Sequence, residues 1–329
     1  MLPLFEVTDI PWDFKNNKVA KTLNQHIDKF AGKLAKSWGT DYPLLIDLPE
    51  SLHDGKVNSG DHLLKHVFDE GRTKNLKLVP VTGLTRGTAY NAEVRAIGAA
   101  DKRGACIRLE PSDLANPALT TAVDALLEQI SMSAKEVDLV LDFKEILPSQ
   151  ENTILLALQQ ASSHLPHLKQ WRSITFAASS FPKDLSGIKA NHIEQIPRTE
   201  WKIWKAMSAD KKRFPVTFGF GDYAISHPIM SEVDPRIIRM SASIRYTSDE
   251  VWVVLKGRSV KTGYDQFSDP LSKKLISMPE YKGASYSAGD KYIDDCAKKK
   301  VTSGNATTWR FVGVNHHVTL AVGQLSRLP

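Results

Sequence analysis

The sequence predicts a (β/α)8 barrel of the TIM type, a single domain over residues 1–329, and three observations carry that expectation. Short apolar runs alternate with stretches of helical periodicity from one end of the chain to the other. The apolar runs begin at Leu2, Leu44, Leu76, Ala105, Val137, Ser173, Val216 and Val251, spaced by roughly 30–40 residues, which is the size of one βα unit. No Pro/Gly/Ser-rich linker, low-complexity tract or short repeat interrupts the series. Eight such units favour a closed parallel barrel, although the same alternation also fits an open doubly wound sheet.

Leu2–Val7 reads as the first strand. Val19, Leu23, Ile27, Phe30, Leu34 and Trp38 recur every three or four residues, so a helix follows and stops at Gly39. Leu44–Leu48 is the second strand. The helix over Asp61–Lys74 carries Leu63, Leu64, Val67 and Phe68 on one stripe. Leu76–Val81 is the third strand, Ala89–Ala100 a helix, and Ala105–Leu109 the fourth strand. Asn116-Pro117 supplies a cap residue and a proline for the first helical position, ahead of a face made by Leu119, Val123, Leu126, Leu127 and Ile130. Val137–Phe143, a helix over Asn152–Ser163 and the strand Ser173–Ala178 come next. Thr199 caps a helix bearing Trp201, Ile203, Trp204 and Met207, and Val216–Phe220 is the seventh strand. Ser241–Tyr246 and Val251–Lys256 flank the polar turn Thr247–Glu250 and predict a hairpin whose second arm is the eighth strand. Helices over Pro270–Ser277, Lys291–Lys300 and Thr307–Leu325 complete the chain.

Composition narrows the class. With 42% hydrophobic and 24% charged residues the chain is that of an ordinary globular protein. Its two cysteines, Cys106 and Cys296, lie far apart and form no CxxC pair, which predicts reduced thiols in a reducing, cytoplasmic compartment. Met1–Phe14 carries Glu6, Asp9 and Asp13 and lacks a basic segment, so it does not read as a signal peptide. No run of 18 apolar residues predicts a membrane span. The formal net charge of +6 permits an anionic ligand without demanding one. GxxxxGK[ST], a strand-following GxGxxG, HExxH, GxSxG and cysteine–histidine zinc patterns are all absent from the sequence. P-loop NTPases, ordinary dinucleotide dehydrogenases, zincins and α/β-hydrolases therefore drop out.

In a barrel the chemistry sits at the C-terminal strand ends. The polar residues near those ends are Glu6, Asp47, Thr82, Arg108, Glu110, Asp142, Ser179, Asp222, Tyr223, Lys256 and Arg258. Glu6, Asp47, Asp142 and Asp222 are four carboxylates that one mouth can bring together, either to hold a hard divalent cation such as Mg2+ or to supply a general acid and base. Arg108, Lys256 and Arg258 can clamp a phosphate or neutralise those acids. The competing reading is an ion-pair network that plugs the mouth. His316 and His317 are neighbours on a predicted helix, so their side chains diverge by about 100° and do not share one metal. The catalytic candidates are Asp142, Asp222 and His316, the last assisting proton transfer. Ligand contacts are assigned to Glu6, Asp47, Arg108, Tyr223, Lys256, Arg258, Asn305 and Trp309, although Asn305 also reads as a helix cap and Trp309 as a core residue. The Trp201–Trp204 helix is a candidate partner surface or a packed element.

Five stretches carry a family resemblance: LPLFEVTDIPWDF at Leu2–Phe14, LVPVTGL at Leu78–Leu84, SASIRYTSDEVWVVLKGRS at Ser241–Ser259, AGDKYIDDCA at Ala288–Ala297 and GNATTWRFVGVNHHVTL at Gly304–Leu320. Over essentially its whole length the chain resembles the "beta protein" family of phages and bacteria, and the closing stretch is the most specific part. The family's recurring positions here are Glu6, Trp12, Asp47, Asp222, Tyr223, His227, Arg245, Tyr246, Arg258, Asp290, Asn305, Trp309, Asn315 and His316. The resemblance implies a protein of phage–host conflict, anti-phage or phage-encoded, and implies no reaction. Joined to the strand-end residues, it leads to three expectations. The first is an enzyme or binding protein for a phosphate-bearing ligand, such as a nucleotide or nucleic acid. The second is a non-enzymatic sensor or subunit that recognises a phage or host protein within a defence system. The third is a nucleic-acid-binding protein, though no basic stripe interleaved with aromatics is visible.

Overall fold

The computed structural model describes residues 1–229 and 240–327. Their strands are β1 (Leu4–Glu6), β2 (Trp12–Asp13), β3 (Lys18–Val19), β4 (Leu44–Asp47), β5 (Leu78–Thr82), β6 (Ala105–Leu109), β7 (Val137–Glu145), β8 (Ser173–Ser179), β9 (His192–Pro197), β10 (Phe218–Gly221), β11 (Ser241–Thr247) and β12 (Val251–Ser259). Seven of them form one sheet in the order β1-β4-β5-β6-β7-β8-β10. The pairs from β1 to β7 are parallel. All residues of β4 and β5 are buried, as are the first seven of β7. Strands covered on both faces read as continuous apolar runs for this reason.

This arrangement corrects the expected closed eight-stranded barrel. The sheet has seven strands, and its ends, β1 and β10, are not paired with each other among the described residues. The run Val251–Lys256, expected as the eighth parallel strand, is the centre of a separate antiparallel sheet, β11-β12-β9. Its two edges are both occupied, Tyr246 pairing with Val253 on one side and Gln195 with Val253 on the other. A strand with both edges hydrogen-bonded has none left to close a barrel. The hairpin of β11 and β12 is present, but its third partner, β9, comes from a stretch in which only Ile193 and Ile196 are apolar among half-buried and exposed residues. Another departure is local. The helix expected over Val19–Trp38 is two helices, Leu23–Ile27 and Phe30–Trp38, the first opened by a reciprocal Thr22–Gln25 cap. Val19 lies instead in β3.

The chain folds into two compact units. The first comprises Met1–Asp142, Ala157–Phe176 and Lys211–Gly219. Its helices bury the stripes read from the sequence, Leu63, Leu64, Val67 and Phe68 on one and Leu119, Val123, Leu126, Leu127 and Ile130 on another. The second comprises Phe143–Leu156, Ala177–Asp210 and Phe220–Pro329. Its core takes Ala242, Ile244 and Tyr246 from β11, Val253 and Leu255 from β12, and Trp309 and Val312 from the helix Ala306–Leu325. In this unit Trp201 and Trp204 stack on each other 5.1 Å apart and both meet Phe220 edge-on. Both are buried, so they pack and do not form a surface. Cys106 and Cys296 are buried and unpaired. Among the described residues no helix is long and apolar enough to cross a membrane.

Candidate functional site

Parallel register aligns the strand ends of the first unit. Glu6 and Asp47 are register partners at the last residues of β1 and β4, and Arg108 is the penultimate residue of β6. The Arg108 guanidinium gathers three carboxylates. Its Nε and Nη2 donate to Asp142 Oδ2 at 2.8 and 2.6 Å. Its Nη1 donates to Asp47 Oδ2 at 2.8 Å and reaches Glu6 Oε1 at 3.3 Å. Arg86 completes the group, with Nη2 on Asp47 Oδ1 at 2.7 Å and Nη1 on the Leu48 carbonyl at 3.0 Å. Asp47 and Asp142 are fully buried, while the Glu6 side chain is 45% exposed. Burial raises the pKa of Asp47, and the charges of Arg86 and Arg108 oppose that rise. Glu6, Asp47, Asp142 and Arg108 therefore do come together, but as an ion-pair cluster in which the acids face guanidiniums. Among the described residues no set of three or more His, Cys, Asp or Glu side chains is arranged to hold a metal ion, so the residues present do not fit the Mg2+ expected from the strand-end acids.

The remaining site candidates lie in the second unit. The 100° step between consecutive helical residues sends His316 and His317 to different carboxylates around one residue, Thr247. His316 Nε2 donates to the Thr247 carbonyl at 2.8 Å, and its Nδ1 lies 2.8 Å from Asp290 Oδ2. A carbonyl only accepts. Asp290 is ionised because, although burial raises its pKa, the His316 hydrogen bond and charge and hydrogen bonds from Ser287 and Tyr246 bring it below the usual carboxylate range. His316 therefore bridges the Thr247 carbonyl and the Asp290 carboxylate inside the protein. Tyr246 donates to Asp290 at 2.8 Å and stacks on His316 with ring centroids 3.7 Å apart. His317 meets Thr247 Oγ1 through Nδ1 at 3.0 Å and Asp222 through Nε2 at 2.8 Å. Burial raises Asp222, but His317, the Ala224 N–H and Arg198 outweigh it and hold its pKa low. His316, His317, Thr247 and Asp290 are buried, so these pairs act as clamps between helix and sheet.

Close approach of the backbones makes the clamp possible. A Cβ on Gly313 would lie 2.9 Å from the Arg245 carbonyl oxygen and 2.5 Å from Ile225 Cδ1. Gly313→Ala is therefore expected to lose about 1–3 kcal/mol through overpacking. Denaturant unfolding with an unchanged midpoint would contradict that tight contact.

The other expected residues are distributed as follows. Lys256 Nζ donates to the Leu185 and Ile188 carbonyls at 2.6 and 2.7 Å, tying a loop to β12. Arg258 is exposed on β12, and its backbone N–H is held by Gln266 Oε1 at 2.7 Å. Asn305 caps the helix Ala306–Leu325 by accepting from the Thr308 N–H at 3.1 Å. Trp309 is buried, donates to the Ser303 carbonyl at 2.8 Å and stacks on Phe267. Tyr223 is half-buried beside Asp222.

A cavity of about 480 Å3 in the second unit brings together residues that the strand-end reasoning missed. Ser241, Ser243 and Arg245 line it from β11, Arg310 from the helix Ala306–Leu325, and Tyr264 and Phe267 from the segment after β12. Arg245 Nη1 donates to the Ile225 carbonyl at 2.8 Å, and its guanidinium lies 4.9 Å from the Phe181 ring centroid. Burial, and next the charge of Arg310, push the Arg245 pKa down to about 10, so Arg245 remains cationic at neutral pH. Among the described residues neither arginine is paired with a carboxylate. Ala306 and Thr307, the first residues of the 20-residue helix, also line the cavity and add the positive end of its dipole. The arrangement is cationic and rich in hydrogen-bond donors. A signal for it exists in the sequence: in SASIRYT the residues Ser241, Ser243 and Arg245 alternate with the core residues Ala242, Ile244 and Tyr246, so one face of the strand is polar by design of the period.

No curated protein matches the chain significantly. The Beta protein family model does match it, from residue 1 to residue 323, and the chain therefore belongs to the Beta protein family.

Proposed function

We propose that this protein binds a phosphate-bearing ligand in the cavity of its second unit, in the phage-associated setting that membership of the Beta protein family implies. The observation that carries this reading is the pair Arg245 and Arg310 in one cavity, with no carboxylate partner among the described residues. Guanidiniums suit phosphate because their planar forks match its oxygens. The Ser241 and Ser243 hydroxyls and the first turn of the helix Ala306–Leu325 add further donors. The acids of the first unit play a different part in this reading. Their oxygens face Arg108 and Arg86, so the cluster holds strand ends together. The same reading takes His316 as a structural residue held by Asp290.

Titration calorimetry with pyrophosphate tests the proposal. Arg310 is exposed, so Arg310→Ala is expected to fold normally and to weaken binding by about 10-fold or more, near 1.4 kcal/mol. Wild-type binding is expected to weaken as salt rises, because exposed charges are screened. Equal binding by wild type and Arg310→Ala, or no binding by wild type at low salt, would overturn it.

A further inference from the structure

We infer that the ligand of this cavity is a nucleotide, with its base stacked on Tyr264 and its phosphates between Arg245 and Arg310; this rests on the anion-binding reading above. Three aromatic rings form a ladder at the cavity. Trp309 and Phe267 stack with centroids 4.7 Å apart and planes 11° from parallel. Phe267 and Tyr264 follow at 6.1 Å and 21°. Trp309 and Phe267 are buried, whereas Tyr264, the outermost rung, is 37% exposed and lines the cavity. The two buried rings fix the orientation of the third, and Trp309 is itself fixed by its hydrogen bond to Ser303. A ring held from behind and open in front is a preorganised platform for another flat ring.

The remaining features fit the rest of a nucleotide. The cavity, at about 480 Å3, is far larger than a lone phosphate needs and lies in the range of roughly 300–1,000 Å3 typical of small-molecule sites. Its charge is concentrated in Arg245 and Arg310, its apolar lining in Tyr264 and aliphatic neighbours such as Val260, and its neutral hydroxyls in Ser241, Ser243 and Thr307. That division matches phosphate, base and sugar. An inorganic anion would leave the ladder uncovered. Because every base presents a π-face, the site is expected to accept purine and pyrimidine nucleotides, with the larger purine favoured.

The test is a set of calorimetric titrations of ADP, pyrophosphate and adenosine into full-length wild type, Tyr264→Ala, Tyr264→Phe and Arg310→Ala. Melting curves confirm that each variant folds. The expected result is ADP binding about 10-fold or more tighter than pyrophosphate in wild type, on the scale of base–aromatic stacking. Tyr264→Ala is expected to erase that preference and leave pyrophosphate binding unchanged, while Tyr264→Phe keeps it. Arg310→Ala is expected to weaken ADP and pyrophosphate alike. If pyrophosphate binds and ADP is no tighter, or if the ADP preference survives in Tyr264→Ala, the nucleotide inference fails and the anion site stands. If neither ADP nor pyrophosphate binds, both fail.

Discussion

Replacing Arg108 with methionine is expected to destabilise the protein by about 3–5 kcal/mol, the range for breaking a buried ion pair by removing one partner. The substitution leaves Asp142 buried with its guanidinium partner gone, and leaves Asp47 with Arg86 alone. Removing one partner of a buried ion pair costs far more than the pair itself contributes. Methionine fills similar space, so the loss reports the charge and not a cavity. Asp142→Ala is also expected to lose stability, but less, because Arg108 keeps Asp47 and Glu6 as partners. On the strand-end reading alone, Asp142→Ala would have been a loss of activity in an intact fold. Urea unfolding monitored by circular dichroism separates these outcomes. A midpoint shift worth less than about 1 kcal/mol in Arg108→Met, the scale of an exposed salt bridge, would show that the cluster does not hold the strand ends.

Asp290→Ala is expected to cost a comparable amount, about 3 kcal/mol or more, because it removes the buried acceptor beside His316. Tyr246 and Ser287 would lose the same acceptor. The pH dependence has a definite sign. Asp290 and Asp222 are both held below the usual carboxylate range in the folded protein. Their contribution is fully present above the unfolded carboxylate pKa of about 4 and is lost as pH falls through the lower folded values. Asp47 works in the opposite direction. Its folded pKa is raised, so protonating it on acidification relieves a desolvation cost. Stability measured from neutral pH downward is therefore expected to fall below about pH 4, and to fall less steeply in Asp290→Asn than in wild type. An unchanged acid slope in Asp290→Asn would contradict the lowered Asp290 carboxyl.

How far the sequence revealed this structure depends on which residues are considered. Strands β4 to β7 were legible because both of their faces are covered, so Leu44–Asp47 and Val137–Phe143 are apolar nearly throughout. The convergence of Glu6, Asp47, Arg108 and Asp142 was legible for a related reason: parallel strands in register put their ends side by side. The closed barrel was not correct, because Trp252–Leu255 has the same apolar run whether it is a core strand of a parallel sheet or the centre of an antiparallel one. What decides is β9, whose sequence HIEQIP carries little apolar signal yet takes the second edge of β12. The pairing of Asp222 with His317, 95 positions later by their numbers, is a purely tertiary fact that no local pattern encodes. The arginine-lined cavity was half legible. Period two in Ser241, Ser243 and Arg245 marks a polar strand face, but the arrival of Arg310 and Tyr264 at that face depends on the packing of the helix Ala306–Leu325 against β11.

On the proposed function, ligand binding belongs to the arginine-lined cavity and not to the strand-end acids. It is tested most directly by one comparative titration of pyrophosphate into wild type, Arg310→Ala and Glu6→Gln. Glu6 is the exposed member of the acid cluster and its contact with Arg108 is the longest, at 3.3 Å, so Glu6→Gln is expected to fold. Glu6→Gln is expected to bind as wild type does, while Arg310→Ala is expected to lose about 10-fold or more. Loss of binding in Glu6→Gln together with wild-type binding in Arg310→Ala would contradict it and return the site to the strand ends.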